Sequence, residues 1–149
     1  MSGFSILNNF KITKCSPYAA AGQNDSTGTI IDMAGFQNAL YLANLGVFTA
    51  AGVATLTVKA GNTTGSSAAT ALTPSATATE TTGGAYEGGV LALEIVDPKY
   101  RYYWPILTLA TQNCVVDNVQ CIQGGAARNL PVSQSTTIVN STVCIGITT

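Results

Sequence analysis

The sequence predicts an all-β fold: a single-domain antiparallel β-sandwich, jelly-roll-like, with extended terminal segments. Roughly seven to nine short apolar runs, rich in β-branched and aromatic residues and separated by turn residues, have the spacing of strands in a two-sheet sandwich. The 149 residues suffice for one domain, because a chain of this size buries about 70% of the surface that its unfolded form exposes. We expect an N-terminal strand or arm over residues 1–13, the sandwich domain over 14–130 and a C-terminal tail with one strand over 131–149.

The N-terminal segment has one apolar face if it is extended. Phe4, Ile6, Phe10 and Ile12 share one parity, and Asn8 interrupts the apolar face that they form. Two interpretations stay open, an edge strand that completes the core or an arm that lies on a neighbouring molecule. Residues 15–28, which follow, are rich in turn residues and predict a long surface loop.

Two apolar runs, residues 29–33 and 36–45, are the next strand candidates, and Gly35 separates them. Residues 39–43 are almost continuously apolar, which predicts a strand covered on both faces. A helix over residues 36–45 is the competing interpretation, but the run is short and has no capping residue.

Residues 52–60 alternate cleanly between apolar and polar side chains. Ala54, Leu56 and Val58 share one parity, which is typical of a half-buried strand. Residues 61–84 contain mostly glycine, serine, threonine and alanine, and we expect a loop there that flanks one strand near residues 68–72.

Residues 89–123 contain three apolar runs of strand length, on which the rest of the chain is organised. They predict three consecutive strands of one antiparallel sheet, a β-meander. The first strand ends at Val96, because Pro98 in the following Asp97-Pro98 break presets φ for a turn and cannot donate to a ladder. Pro105 lies in the middle of the second run, so we expect an edge position or a bulge there.

The tail contains one more β-prone run over residues 136–147, which could pair within its own sheet or reach a partner. The four cysteines are Cys15, Cys114, Cys121 and Cys144. We expect free buried thiols, because no targeting segment is visible and a cytosol is reducing, although an even number permits two disulfides. A zinc site is disfavoured, since no pair has C-x-x-C spacing and the chain has no histidine. We expect no metal and no cofactor.

The charge content excludes several classes of function. Only 9% of the residues are charged and the formal net charge is −1, so the electrostatic footprint for nucleic acid or anionic lipid is missing. Without histidine the usual base for acyl transfer is absent, and no glycine-rich phosphate loop is present. Seven carboxylates leave a glycosidase as a minor alternative. We expect a protein that is not an enzyme.

The segment Lys99–Trp104 combines aromatic and cationic side chains and has the character of a binding patch. Tyrosine, tryptophan and arginine are enriched at interface hot spots. We expect Arg101 and Tyr103 to contact a partner, whereas Tyr102 and Trp104, of the other parity, could instead fill the core. The complete set of predicted interface residues is Phe4, Ile6, Phe10, Arg101, Tyr103, Trp104 and Arg128.

Three features resemble the small capsid decoration, or cement, proteins of tailed bacteriophages. They are the opening Met-Ser-Gly-Phe-Ser-Ile-Leu-Asn-Asn-Phe-Lys of residues 1–11, the middle rich in Ala, Thr and Gly, and Asp-Pro-Lys-Tyr-Arg-Tyr at 97–102 followed by Pro105. The resemblance covers residues 1 to about 128. It implies a jelly-roll-like sandwich that docks on the outside of the major capsid protein lattice, often as a symmetric homo-oligomer, and clamps neighbouring subunits.

The resemblance therefore predicts a virion structural protein on the capsid exterior, made in the host cytoplasm. Its partners would be the major capsid protein and further copies of itself, with no nucleic acid and no membrane. The alternative is a carbohydrate- or receptor-binding β-sandwich module of a phage fibre or cell-surface protein, in which Tyr103 and Trp104 form a stacking platform.

Overall fold

The computed structural model describes residues 6–65, 69–125, 133–136 and 138 of the chain. They form two antiparallel sheets that pack face to face around one core. The elements in chain order are α1 (Ile6–Asn9), β1 (Lys11–Ser16), β2 (Ala19–Gly22), β3 (Ser26–Thr27), β4 (Ile31–Asp32), β5 (Asn38–Phe48), β6 (Val53–Gly61), β7 (Thr70–Ala71), β8 (Ala76–Thr79), β9 (Val90–Val96), β10 (Tyr102–Ala110) and β11 (Cys114–Gly124).

The strand order is that of a long hairpin rolled up on itself. The first sheet has the order β1-β11-β5-β9, with β2 also on β11, and the second has the order β3-β10-β6-β7, with β4 on β10 and β8 on β6. Strands from the first half of the chain thus pair with strands at mirrored positions in the second half. This nested antiparallel pairing in two sheets is a jelly roll, and the predicted fold class is confirmed.

The predicted β-meander is wrong. The strands β9, β10 and β11 do follow one another, but β9 and β11 both pair with β5 in the first sheet, while β10 lies in the second sheet. The chain therefore crosses between the sheets at each turn. Asp97 and Thr111, which begin these crossings, have positive φ values of 53° and 69°, a backbone conformation that turns the chain sharply out of the strand.

The core lies between the sheets and is built by alternation along the long strands. Ala54, Leu56 and Val58 of β6 are completely buried, which confirms the alternation predicted for this strand. In β5 the alternation is equally regular, and Leu40 and Leu42 are only half-buried. The prediction that both faces of this strand are covered is therefore wrong.

The N-terminal part departs from the sequence prediction in two places. Residues Ile6–Asn9 form one helical turn, closed by the Phe10 N–H donating to the Ile6 carbonyl at 2.8 Å, so this stretch is not extended. The predicted loop over residues 15–28 contains the short strands β2 and β3. Both strands are added to longer neighbours, β2 to β11 and β3 to β10, which supply pairing that the local sequence does not suggest.

Two other segments are only partly as predicted. Instead of one strand near residues 68–72, the middle of the chain contains β7 and β8, and both pair with β6. Of the predicted strand over residues 136–147, only residues 136 and 138 belong to the described part of the chain.

Pro105 occupies a break in the pairing of β10. On one side β10 is bonded along its whole length to β6, whereas on the other side it meets the two short strands β3 and β4. The Pro105 carbonyl accepts from the Gly28 N–H at 2.8 Å, and N and C=O of a strand residue point to the same side. The missing N–H therefore faces the gap between β3 and β4, and the strand itself is not at the edge.

Candidate interaction surface

The aromatic cluster predicted as an interface is largely buried. Tyr103 is 1% exposed, and its hydroxyl accepts from the Tyr100 N–H at 3.1 Å. Trp104 lies on the opposite face of β10 and is 5% exposed. The residues of β10 that enter the core are Tyr103, Pro105, Leu107 and Leu109. Of the two parities weighed from the sequence, that of Tyr103 therefore enters the core. Burial leaves Tyr103 and Trp104 almost no side-chain surface with which to contact a partner or stack on a sugar.

Arg101 is exposed, but its guanidinium is already paired. Its Nη2 lies 3.0 Å from Asp32 Oδ2, and its Nε donates to both Asp32 oxygens at 3.2 and 3.3 Å. The Arg101 guanidinium also lies 5.1 Å from the centroid of the Tyr102 ring, within reach of a cation–π contact. The hydrogen bond from Arg101 holds the pKa of Asp32 below its usual range. The contact of Arg101 with a partner stays a prediction.

The other predicted interface residues are at the N-terminus and in the tail. Ile6 is 60% exposed on the helical turn. Phe10 is half-buried, and its ring packs over Gly124, where an added Cβ would lie 2.5 Å from Phe10 Cε1. Phe4 and Arg128 are outside the described residues.

Glu80 is a completely buried carboxylate whose hydrogen bonds organise the loop before β9. It accepts from the N–H groups of Tyr86 at 2.8 Å and of Thr82 and Gly83 at 3.2 Å. These backbone donors lower the pKa of Glu80, because they stabilise the ionised form. With its oxygens turned toward its own loop, Glu80 has a structural role.

Three cysteines lie in the described part of the chain, and all are free and buried: Cys15, Cys114 and Cys121. The fourth, Cys144, is outside the described residues. Burial raises the pKa of Cys114 to about 11, and the neighbouring Cys15 thiol together with burial raises that of Cys121. Since the thiolate is the reactive form, these two thiols are unreactive at neutral pH.

Two clefts flank β9. One, of about 390 Å³, lies between Leu72–Ala76 and Ala92–Val96, and Glu94 is the only titratable residue among the described residues that line it. The other, of about 320 Å³, lies beside β8 and the start of β9, and its described lining has Tyr86 as the one titratable residue. Neither cleft has the two facing carboxylates that glycoside hydrolysis requires. Among the described residues, no group of three His, Cys, Asp or Glu side chains could hold a metal ion.

The strand β9 is a free edge of the first sheet. Within the described part of the chain it pairs only with β5. The Gly89 carbonyl accepts from Leu45 N at 2.8 Å, and Asp97 N donates to the Gln37 carbonyl at 3.0 Å. Odd-numbered residues therefore bond to β5. The even-numbered ones, Val90, Ala92, Glu94 and Val96, direct their N–H and C=O groups away from the sheet.

The side chains of this edge are also accessible. Val90 is 53% and Val96 70% exposed, while Leu91 and Leu93 are buried in the core. This surface was not predicted, because an apolar run does not reveal whether its strand lies inside a sheet or at its edge. Glu94 was the available signal, since a charge on one parity marks the outward face.

No protein-family model matches the sequence, and a search of curated proteins gives no match. No helix in residues 6–65, 69–125, 133–136 and 138 is long and apolar enough to cross a membrane.

Proposed function

We propose that this chain is a non-enzymatic virion structural protein. It binds the outer surface of a phage capsid lattice as a homo-oligomer and stabilises the lattice by bridging neighbouring subunits of the major capsid protein. The observation that carries the proposal is the edge of β9, where backbone groups that no other described strand pairs lie beside exposed valines. The likeness of residues 1–11 and 97–102 to capsid decoration proteins supports the choice of a virion.

An exposed, regular edge strand is a template for pairing with another chain, and proteins without a use for such an edge usually block it. Strand addition obtains affinity from main-chain hydrogen bonds and does not need charged side chains. This fits a chain in which only 9% of the residues are charged. A homo-oligomer joined through this edge presents several copies of its remaining surface to a repeating lattice, where many weak contacts add through multivalency.

The arrangement of titratable groups supports a role without catalysis. Glu80 bonds to its own loop, the described thiols are buried, and each cleft beside β9 has one titratable residue. A carbohydrate-binding module stays the alternative. Its stacking pair, Tyr103 and Trp104, is buried, so a sugar would need other residues.

The proposal is tested by co-sedimentation of the purified chain with capsid shells that lack it. We expect saturable binding at a fixed ratio to the major capsid protein, and the absence of binding would overturn the proposal. Ile6→Asp should weaken binding, whereas Tyr18→Asp serves as a matched control because Ile6 and Tyr18 are 60% and 62% exposed. A glycan array run in parallel should show no sugar dependence. Sugar binding without capsid binding would establish the alternative.

A further inference from the structure

We propose that two copies of the chain pair antiparallel along β9, about a twofold axis at Leu93. The first sheets of the two copies then form one continuous sheet. This inference rests on the self-association that the proposed function includes. It identifies the surface and the register, and it concerns the purified protein without any capsid.

Among the described edges, β9 is the one that is neither bulged nor short. At the other side of the first sheet, β1 has a bulge between Lys14 and Ser16. The outer strands of the second sheet are short pieces of two to four residues: β3, β4, β7 and β8. The strand β9 pairs with β5 over all seven of its residues without a break in register. Bulges and short strands are devices against edge pairing, and β9 lacks both.

The backbone of β9 is self-complementary in one alignment. Around a twofold axis at Leu93, Val90 faces Val96 of the second copy, and Ala92 faces Glu94. All four are even-numbered residues whose N–H and C=O groups point outward, so each facing pair can exchange two hydrogen bonds. All four outward-facing residues of each copy then form backbone hydrogen bonds to the other copy.

The side chains favour the same alignment. Val90 and Val96 are the most exposed apolar residues of the strand, and each covers the other across the axis. Glu94 meets Ala92, so like charges are not opposed. Centring the axis on Glu94 would place the two Glu94 carboxylates opposite each other. Centring it on Ala92 would leave Val96 opposite Gly88, outside the strand.

The surroundings of β9 add to the contact. The axis brings the cleft at the Val90 end of one copy beside the cleft at the Val96 end of the other. Tyr86 is 45% exposed at the first cleft. The net charge of −1 gives little repulsion between copies. A seven-residue edge is smaller than a standard interface, which indicates a dissociation constant roughly in the micromolar range.

A second copy fits this edge better than the tail of the same chain. Gln134 fixes the start of the described tail beside β1, at the far edge of the first sheet. Its side-chain amide makes three hydrogen bonds there, to Ile12 N at 2.9 Å, Leu7 O at 2.8 Å and Phe10 O at 2.6 Å. The tail therefore begins three strands away from β9.

Sedimentation velocity of the full chain over a concentration series tests the register. Val90→Lys and Val96→Glu should each weaken dimerisation at least about tenfold, or about 1.4 kcal/mol. The double variant should dimerise at least about tenfold more tightly than either single variant, because each lysine then faces a glutamate of the second copy. Within one copy, positions 90 and 96 are too far apart for such a rescue.

A second pair of variants separates edge pairing from loss of folding. Ala92→Pro removes an outward N–H and none of the bonds to β5, so it should abolish the dimer while the circular dichroism spectrum is retained. Ala92→Val keeps the N–H and should keep the dimer. A wild-type chain that stays monomeric, or a double variant no better than the singles, would overturn the inference. A dimer that survives all of these substitutions but is lost on deleting residues 139–149 would assign the contact to the tail. Capsid co-sedimentation of the same variants reports on the proposed function separately.

Discussion

Replacing Tyr41 by phenylalanine should stabilise the protein. Tyr41 is completely buried on β5, and among the described residues its hydroxyl has no oxygen or nitrogen partner, only the Cys121 thiol beside it. Burial, with a smaller contribution from the neighbouring Cys121 thiol, raises the pKa of Tyr41 far above its usual range. Its cross-strand neighbours are Cys121 on β11 and Leu93 on β9. A thiol is only a weak hydrogen-bonding group, so the desolvated hydroxyl is not compensated.

The expected gain follows from the cost of a buried polar group without a partner, which is about 1–3 kcal/mol. Removing the oxygen also loses some packing, and we expect a net gain of about 1 kcal/mol. For a domain of this size that raises the thermal midpoint by about 2–4 °C.

Tyr103→Phe is the matched control. Tyr103 is equally buried, but its hydroxyl accepts the Tyr100 N–H at 3.1 Å. Losing that bond should lower the free energy of unfolding by about 1 kcal/mol. The two variants should therefore shift in opposite directions from the wild type and differ from each other by about 2 kcal/mol. Urea unfolding followed by circular dichroism measures both. If Tyr41→Phe is less stable than the wild type by about 1 kcal/mol or more, the hydroxyl has a partner and the reasoning is refuted.

Three further substitutions test the loop, the ion pair and the N-terminal packing. The lowered pKa of Glu80 means that its ionised form contributes stability above the unfolded-state pKa of about 4.3. This contribution is lost as the pH falls through the folded pKa, so Glu80→Gln should flatten the acid side of a plot of thermal midpoint against pH, and an unchanged slope would contradict it. Arg101→Ala should leave the urea midpoint almost unchanged, and more so in high salt, because both partners of the Arg101–Asp32 pair are exposed; a clear fall of the midpoint would refute this. Gly124→Ala should cost about 1–3 kcal/mol, because its Cβ would lie 2.5 Å from the Phe10 ring, and wild-type stability would show that the ring moves away freely.

The local part of the fold could be predicted from the sequence, and the pairing could not. The alternation in β6 is a property of neighbouring residues, and it placed Leu56 and Val58 correctly in the core. Which strand lies beside β6 depends on residues far along the chain, such as Trp104 opposite Lys59. In a jelly roll, strands that follow one another along the chain can lie in opposite sheets. The turn residues between them show where a strand ends, but not which sheet the next strand joins.

Which face of β10 enters the core could not be predicted for a related reason. Both parities of β10 carry large side chains, so nothing local decides that Tyr103 rather than Tyr102 enters the core. The helical turn at Ile6–Asn9 is equally non-local, because Gln134 holds the Leu7 carbonyl from 127 positions away. That β9 is an edge strand follows only from the sheet topology, in which β5 is its single neighbour among the described strands.

A twofold contact along β9 also explains how a chain with an open edge avoids endless assembly. An isologous interface uses the same surface on both copies, so the pairing closes at two. The remaining described edges are bulged or short, and they offer no second long template. Glu94 adds to this control, because a partner displaced by two residues toward the C-terminal end of the strand would oppose two carboxylates. The same residue that marks the outward face in the sequence therefore selects the register, and the dimer is left with its outer faces and terminal segments for a different partner.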